Sequence, residues 1–172
     1  MAVELQPAIA TDSPSVEAGW LAAAALRSPL PLSSSIPAAE IQRLSPAALA
    51  YLGDSVYELY IRCYYLLPQS RTRTYHDRVV AQVRAETQAR HLEALLPHLT
   101  EAEREIVRRG RNATDKRPKR LAGGTYQAAT AFETLVGYLY LTQPSRLTEL
   151  LARLDLSPSV SSHATLDRNS SS

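Results

Sequence analysis

Two carboxylates stand out by their surroundings. Asp54 sits in LAYLGDSVYE, residues 49–58, inside a run of apolar residues at helical spacing and directly after Gly53. Neither glycine nor aspartate favours a helix interior, so the pair requires a reason. Asp54 has no basic residue three or four positions away, whereas Glu58 has Arg62 four positions on, the spacing of a surface ion pair. The second acid, Glu133, lies in YQAATAFETLVGYLYL and also lacks a basic partner at helical spacing. It shares a face with Tyr126, Thr130 and Gly137. A buried acid without a partner is costly unless a cation sits beside it. Two such acids on separate helices can converge on one divalent ion, and hard oxygen donors without nearby Cys or His favour Mg²⁺, with Mn²⁺ as the alternative. On spacing alone a second reading stands beside it, in which each acid bonds a tyrosine hydroxyl or a partner helix.

A different chemistry is concentrated between Arg104 and Arg120. That stretch holds eight Lys or Arg against Glu105 and Asp115, a local balance of +6 in a chain whose formal charge is +2. Arg108, Arg109, Arg111, Asn112, Lys116, Arg117, Lys119 and Arg120 are the candidate nucleic-acid contacts. Arginine forks phosphate oxygens bidentately, and dense basic charge binds nucleic acid by counterion release. Few aromatics interleave the stretch, so backbone-directed binding of a duplex fits better than base stacking on a single strand. Solvated surface charge is the plainer reading.

The elements that must position these groups are helical throughout, and no alternating strand pattern appears. Ser45-Pro46 reads as an N-cap and first helical residue, with Leu49, Leu52, Val56, Leu59, Tyr60, Cys63 and Leu66 as the apolar stripe of a helix ending near Pro68. A second long helix is expected from about Thr74 to Leu96. Thr100 opens a capping box with Glu103 and a helix to about Arg109. GRNATDKRPKRLAGGT reads as a loop, after which Thr125 caps a helix with Phe132, Leu135, Val136 and Leu139 as its core. A short helix follows over about Ser145 to Leu154. The expectation is an all-α fold of about five to seven helices.

The chain has 172 residues, 45% of them hydrophobic, enough for one packed domain. All nine tyrosines fall between Tyr51 and Tyr140. Three segments follow: a Pro/Ser/Ala-rich leader over 1–35, the packed domain over 36–155, and a Ser-rich tail over 156–172. The single cysteine, Cys63, rules out an internal disulfide framework, fits a reducing, cytoplasmic setting, and reads as a structural thiol. Four scattered histidines offer no zinc spacing, no apolar run is long enough to span a bilayer, and Glu4, Asp12 and Glu17 argue against a secretion signal.

Four ordered blocks carry a resemblance: SPAALAYLGDSVYELYIRCYYL, VVAQVRAETQARHL, LTEAEREIVRRGRNA and TYQAATAFETLVGYLYL. Together they resemble the Mini-III ribonucleases, ribonuclease III-like catalytic domains without a double-stranded RNA-binding domain. The resemblance covers about residues 40–153. It implies a homodimeric, Mg²⁺-dependent endoribonuclease that cleaves double-stranded RNA, leaves 5′-phosphate and 3′-hydroxyl ends, and acts on precursor 23S ribosomal RNA, with a ribosomal protein as a candidate aid. Asp54 and Glu133 match the family's metal-binding and catalytic acids. Two further acids of the larger ribonuclease III pattern are replaced, by Ala50 and Thr130. Glu58 has no assured role. The rival expectation is a non-catalytic duplex RNA-binding or ribosome-assembly module on the same fold.

Overall fold

In the computed structural model, residues 36–113 and 123–157 are described. Among them are seven α-helices and no strand: α1 (Ala38–Arg43), α2 (Pro46–Tyr64), α3 (Thr72–Val83), α4 (Ala85–Leu95), α5 (Glu101–Asn112), α6 (Gly123–Thr142) and α7 (Pro144–Leu151). A 3₁₀ turn, Leu96–His98, joins α4 to α5. The fold is all-α, as the periodicity implied.

Local chemistry sets several boundaries. The Ala48 amide donates to the Ser45 hydroxyl at 3.1 Å, and Pro46 opens α2. At α5 the expected capping box is complete: the Glu103 amide donates to Thr100 Oγ1 at 3.3 Å and the Thr100 amide to Glu103 Oε2 at 2.7 Å. Glu103 also pairs with Arg146 of α7, Nε to Oε1 at 2.8 Å, and the same guanidinium donates to the His98 carbonyl at 2.7 Å. One carboxylate thus caps a helix and ties α7 to the α4–α5 connection.

This pairing holds the Glu103 carboxyl below its ordinary range, chiefly through the Arg146 hydrogen bond. A depressed acid contributes stability above its unfolded pKa and loses it as pH falls through the folded value. Glu103→Ala should therefore cost about 3 kcal/mol at pH 7, as expected for breaking a mostly buried pair. The deficit should shrink in chemical denaturation at acid pH; an equal deficit at pH 7 and in acid would contradict this assignment.

Helix α6 is the central element. It packs against α2, α4 and α5, and its Ala131, Phe132, Leu135 and Leu139 are essentially inaccessible. The expected stripe Phe132, Leu135, Val136, Leu139 is the core face. The stripe expected on α2 is rotated. Leu49, Val56 and Tyr60 are buried, but so are Gly53, Tyr57 and Ile61, whereas Leu59 and Leu66 are exposed. The apolar count does not show this orientation; the small Gly53 faces α6 at close range, where a larger residue would not fit.

Three other expectations are corrected. The long second helix is two helices, broken where Arg84 takes an extended conformation (φ −67°, ψ 146°) and caps α4. The Arg84 carbonyl accepts from the Thr87 and Gln88 amides, and Thr87 Oγ1 donates to the Ala81 carbonyl. No proline or glycine marks that break, so periodicity runs through it. Helix α5 continues past Arg109 to Asn112, making Arg111 and Asn112 helical. Gly110, read as the start of a loop, is a packing residue: a Cβ there would stand 2.8 Å from the Ala131 Cα of α6. Helix α6 begins at Gly123, ahead of the expected Thr125 cap.

Candidate metal and catalytic site

The crossing of α2 and α6 builds the site. A Cβ on Gly53 would lie 1.8 Å from the Glu133 carbonyl oxygen, and one on Gly137 would lie 2.1 Å from the Leu49 carbonyl oxygen. The two backbones therefore touch through a reciprocal pair of glycines. That contact sets Asp54, the next residue after Gly53, beside Glu133, one turn before Gly137. The unfavourable Gly-Asp pair in α2 has its reason here: glycine permits the approach, and aspartate meets the second acid.

The electrostatics match this proximity. Burial pushes the Glu133 carboxyl up to about 7, and the charge of Asp54 pushes the same way. Asp54 is more exposed; its pKa is raised first by partial burial and then by Glu58. At neutral pH Glu133 therefore competes between a proton and a cation. Glu58 itself pairs with Arg62 at 2.5 Å, as its spacing implied.

A group invisible in the sequence stands with the acids. Gln88 of α4 is only 2% exposed, and its amide pulls both carboxyl pKa values downward. Behind it, His91 Nδ1 meets the Tyr57 hydroxyl at 2.8 Å, and Tyr57 lies edge-on to Phe132 with centroids 4.9 Å apart. Burial drives the His91 pKa down to about 4, so this imidazole is neutral at pH 7. Tyr57 follows Asp54 by one turn, Phe132 precedes Glu133, and His91 follows Gln88 by one turn. The three rings thus lock α2, α6 and α4 together behind the polar groups. Sequence spacing missed Gln88 and His91 because the break at Arg84 sets which face of α4 turns inward.

The donor set fits a hard divalent ion: two carboxylate side chains whose mutual repulsion a cation relieves. Among the described residues no group of three or more His, Cys, Asp or Glu is placed to hold a metal ion together. Mg²⁺ characteristically keeps several waters and takes only one or two protein carboxylates. Ala50 and Thr130 are both buried in the helix packing and contribute no acid.

The basic residues divide. Arg108 is exposed and pairs with Glu105 at 2.6 Å; Arg109 is half-buried and donates to the Leu44 carbonyl at 3.5 Å. Arg111 and Asn112 are exposed on the last turn of α5. Lys116, Arg117, Lys119 and Arg120 lie outside the described residues, as do the 1–35 segment and most of the tail. Cys63 is a half-buried free thiol whose pKa burial raises. None of the described helices is long and apolar enough to cross a membrane.

A model of the ribonuclease III domain matches residues 47–144, which includes both acids and the whole of α2 after its first residue. The chain is 59% identical over 116 residues to the Mini-ribonuclease 3 of Synechocystis sp., covering 67% of this chain and 81% of that one. It is 53% identical to the Mini-ribonuclease 3 of Thermosynechococcus vestitus, covering 69% and 78%. The chain belongs to the Mini-ribonuclease 3 family. Its four-block resemblance is thereby borne out, and the family is one of endoribonucleases. A crystal structure of a Fusobacterium nucleatum protein shares the fold at 30% identity with a TM-score of 0.57, covering 62% of this chain and 88% of that one.

Proposed function

We propose that this Mini-ribonuclease 3 family member is a Mg²⁺-dependent endoribonuclease that cleaves double-stranded RNA, with Asp54 and Glu133 as its metal-binding, catalytic acids. The observation that carries the reading is the Glu133 carboxyl, half-buried beside Asp54 and pushed up to about 7. Mg²⁺ bound there supplies Lewis acidity for water attack on a phosphodiester and for departure of the leaving oxygen. Asp54, on the open side, faces the incoming phosphate; Glu133 closes the site from the protein side. Arg108, Arg111 and Asn112, with Lys116, Arg117, Lys119 and Arg120, hold the duplex backbone, and Arg109 anchors their helix to Leu44. Products carry 5′-phosphate and 3′-hydroxyl ends, and the substrate is precursor 23S ribosomal RNA in the cytoplasm, with a ribosomal protein as a candidate aid.

The enzyme works as a homodimer in this reading. Tyr51 is 83% exposed and Leu59 49% exposed on the outer side of α2, an apolar surface suited to a second copy. Two-fold symmetry supplies one site for each strand of the duplex.

The test is a labelled RNA duplex incubated with the full chain in Mg²⁺ or EDTA, alongside Asp54→Asn. Cutting should require Mg²⁺ and fall by roughly a thousandfold in the variant, the size of effect expected when transition-state charge stabilisation is lost. Equal cutting by Asp54→Asn would overturn the assignment. Binding without any cutting would leave the duplex-binding module.

A further inference from the structure

Gln88 is the most deeply buried polar group at the acid pair, and its Nε2 makes no hydrogen bond of ordinary geometry, although it stands near enough to both acids to favour their charged forms. Buried amide donors in folded proteins are nearly always paired, so an orphan at this place calls for a role. An apolar side chain of similar volume would fill the space without the cost of an unpaired donor. The position is fixed firmly: Gln88 lies one turn before His91, whose bond to Tyr57 anchors α4 to α2. It is also close enough to act on both Asp54 and Glu133. A primary amide carries two N–H donors, one available for each carboxylate.

We propose that Gln88 is a positioning residue of the acid pair, its amide orienting the Asp54 and Glu133 carboxylates to receive one divalent cation. The assignment rests on the metal-site reading above and adds a third side chain to it. Donors outside a metal's ligands commonly fix ligand orientation and raise affinity. The need is greater here, because Ala50 and Thr130 supply no further carboxylate to the pair. A neutral amide suits this role, because it favours the ionised acids without adding a positive charge that would compete with the cation.

The measurement is Mn²⁺ binding to the full chain without RNA, followed by electron paramagnetic resonance of free Mn²⁺. Gln88→Met keeps the volume and removes the donors; it should remain folded by circular dichroism and bind Mn²⁺ about tenfold more weakly. Gln88→Asn keeps an amide but withdraws it by one methylene, and should show the same weakening, which guards against a folding defect particular to methionine. Duplex cleavage by either variant should recover towards the parental rate as Mg²⁺ is raised. A merely structural Gln88 would change melting and leave Mn²⁺ affinity alone. Parental affinity in a folded Gln88→Met or Gln88→Asn, with binding lost in Asp54→Asn, overturns the Gln88 assignment only. Binding absent from the parent, or unchanged in Asp54→Asn, overturns the metal-site reading and this assignment with it.

Discussion

Glu133→Gln should cut an RNA duplex roughly a thousandfold more slowly than the parent in Mg²⁺, and yet be the more stable protein at pH 8 in EDTA. The two effects have one cause. Burial and the neighbouring Asp54 raise the Glu133 carboxyl to about 7, against an ordinary value of 4.5. A raised carboxyl pKa means that the folded state binds the proton more tightly than the unfolded state. The stability this gives is fully present below the unfolded value and is lost as pH rises through the folded one. At pH 8 the parent therefore holds an unwelcome charge that only a cation relieves, whereas the glutamine amide is neutral at every pH. Each pKa unit is worth about 1.4 kcal/mol, and discounting for solvent screening leaves a gain on the order of 2 kcal/mol for the variant. Thermal melts of both proteins in EDTA at pH 8 and near pH 4.5 check it. The advantage of Glu133→Gln should be present at the first and nearly gone at the second. A parent as stable as the variant at pH 8 would show that Glu133 is not charged at a cost, and would remove the physical ground for a cation at this place.

The contrast between what the sequence revealed and what it hid follows interaction range. Ser45-Pro46 and the Thr100–Glu103 box were legible because a helix N-terminus is capped by residues within four positions of one another. The Glu58–Arg62 pair was legible for the same reason. Asp54 and Glu133 were legible by a local deficit, since neither has a basic neighbour on its own helix. That they adjoin is a tertiary fact, carried by Gly53 and Gly137 across two helices. The role of Gly110 was misread because glycine ends helices and also lets them approach, and only the facing residue, Ala131, decides between the two. Gln88 and His91 were hidden for a further reason. The extended backbone at Arg84 interrupts the helix, so spacing counted along α3 does not carry into α4.

The same glycine contact yields the largest expected effect on the fold. Gly53→Ala adds one carbon at a position where the Glu133 carbonyl oxygen would be 1.8 Å away and the Gly137 amide nitrogen 2.7 Å away. Both obstacles are backbone atoms of a helix that is itself packed on three sides, so no side chain can rotate aside. The variant must either part α2 from α6 or shift one along the other. Overpacking a well-packed core typically costs about 1–3 kcal/mol, and here the upper end or beyond is expected. The gain in intrinsic helix propensity from glycine to alanine, about 1 kcal/mol, opposes this and is too small to offset it. Denaturant unfolding should therefore show Gly53→Ala less stable than the parent by about 3 kcal/mol. Mn²⁺ binding should weaken even where the variant is still folded, because parting the helices moves Asp54 from Glu133. Gly124→Ala is the control: a Cβ there meets nothing within 4 Å, so the substitution should be neutral or mildly stabilising. A Gly53→Ala protein as stable as the Gly124→Ala control would mean that α2 and α6 do not cross at this glycine. The two carboxylates would then have lost the contact that brings them together.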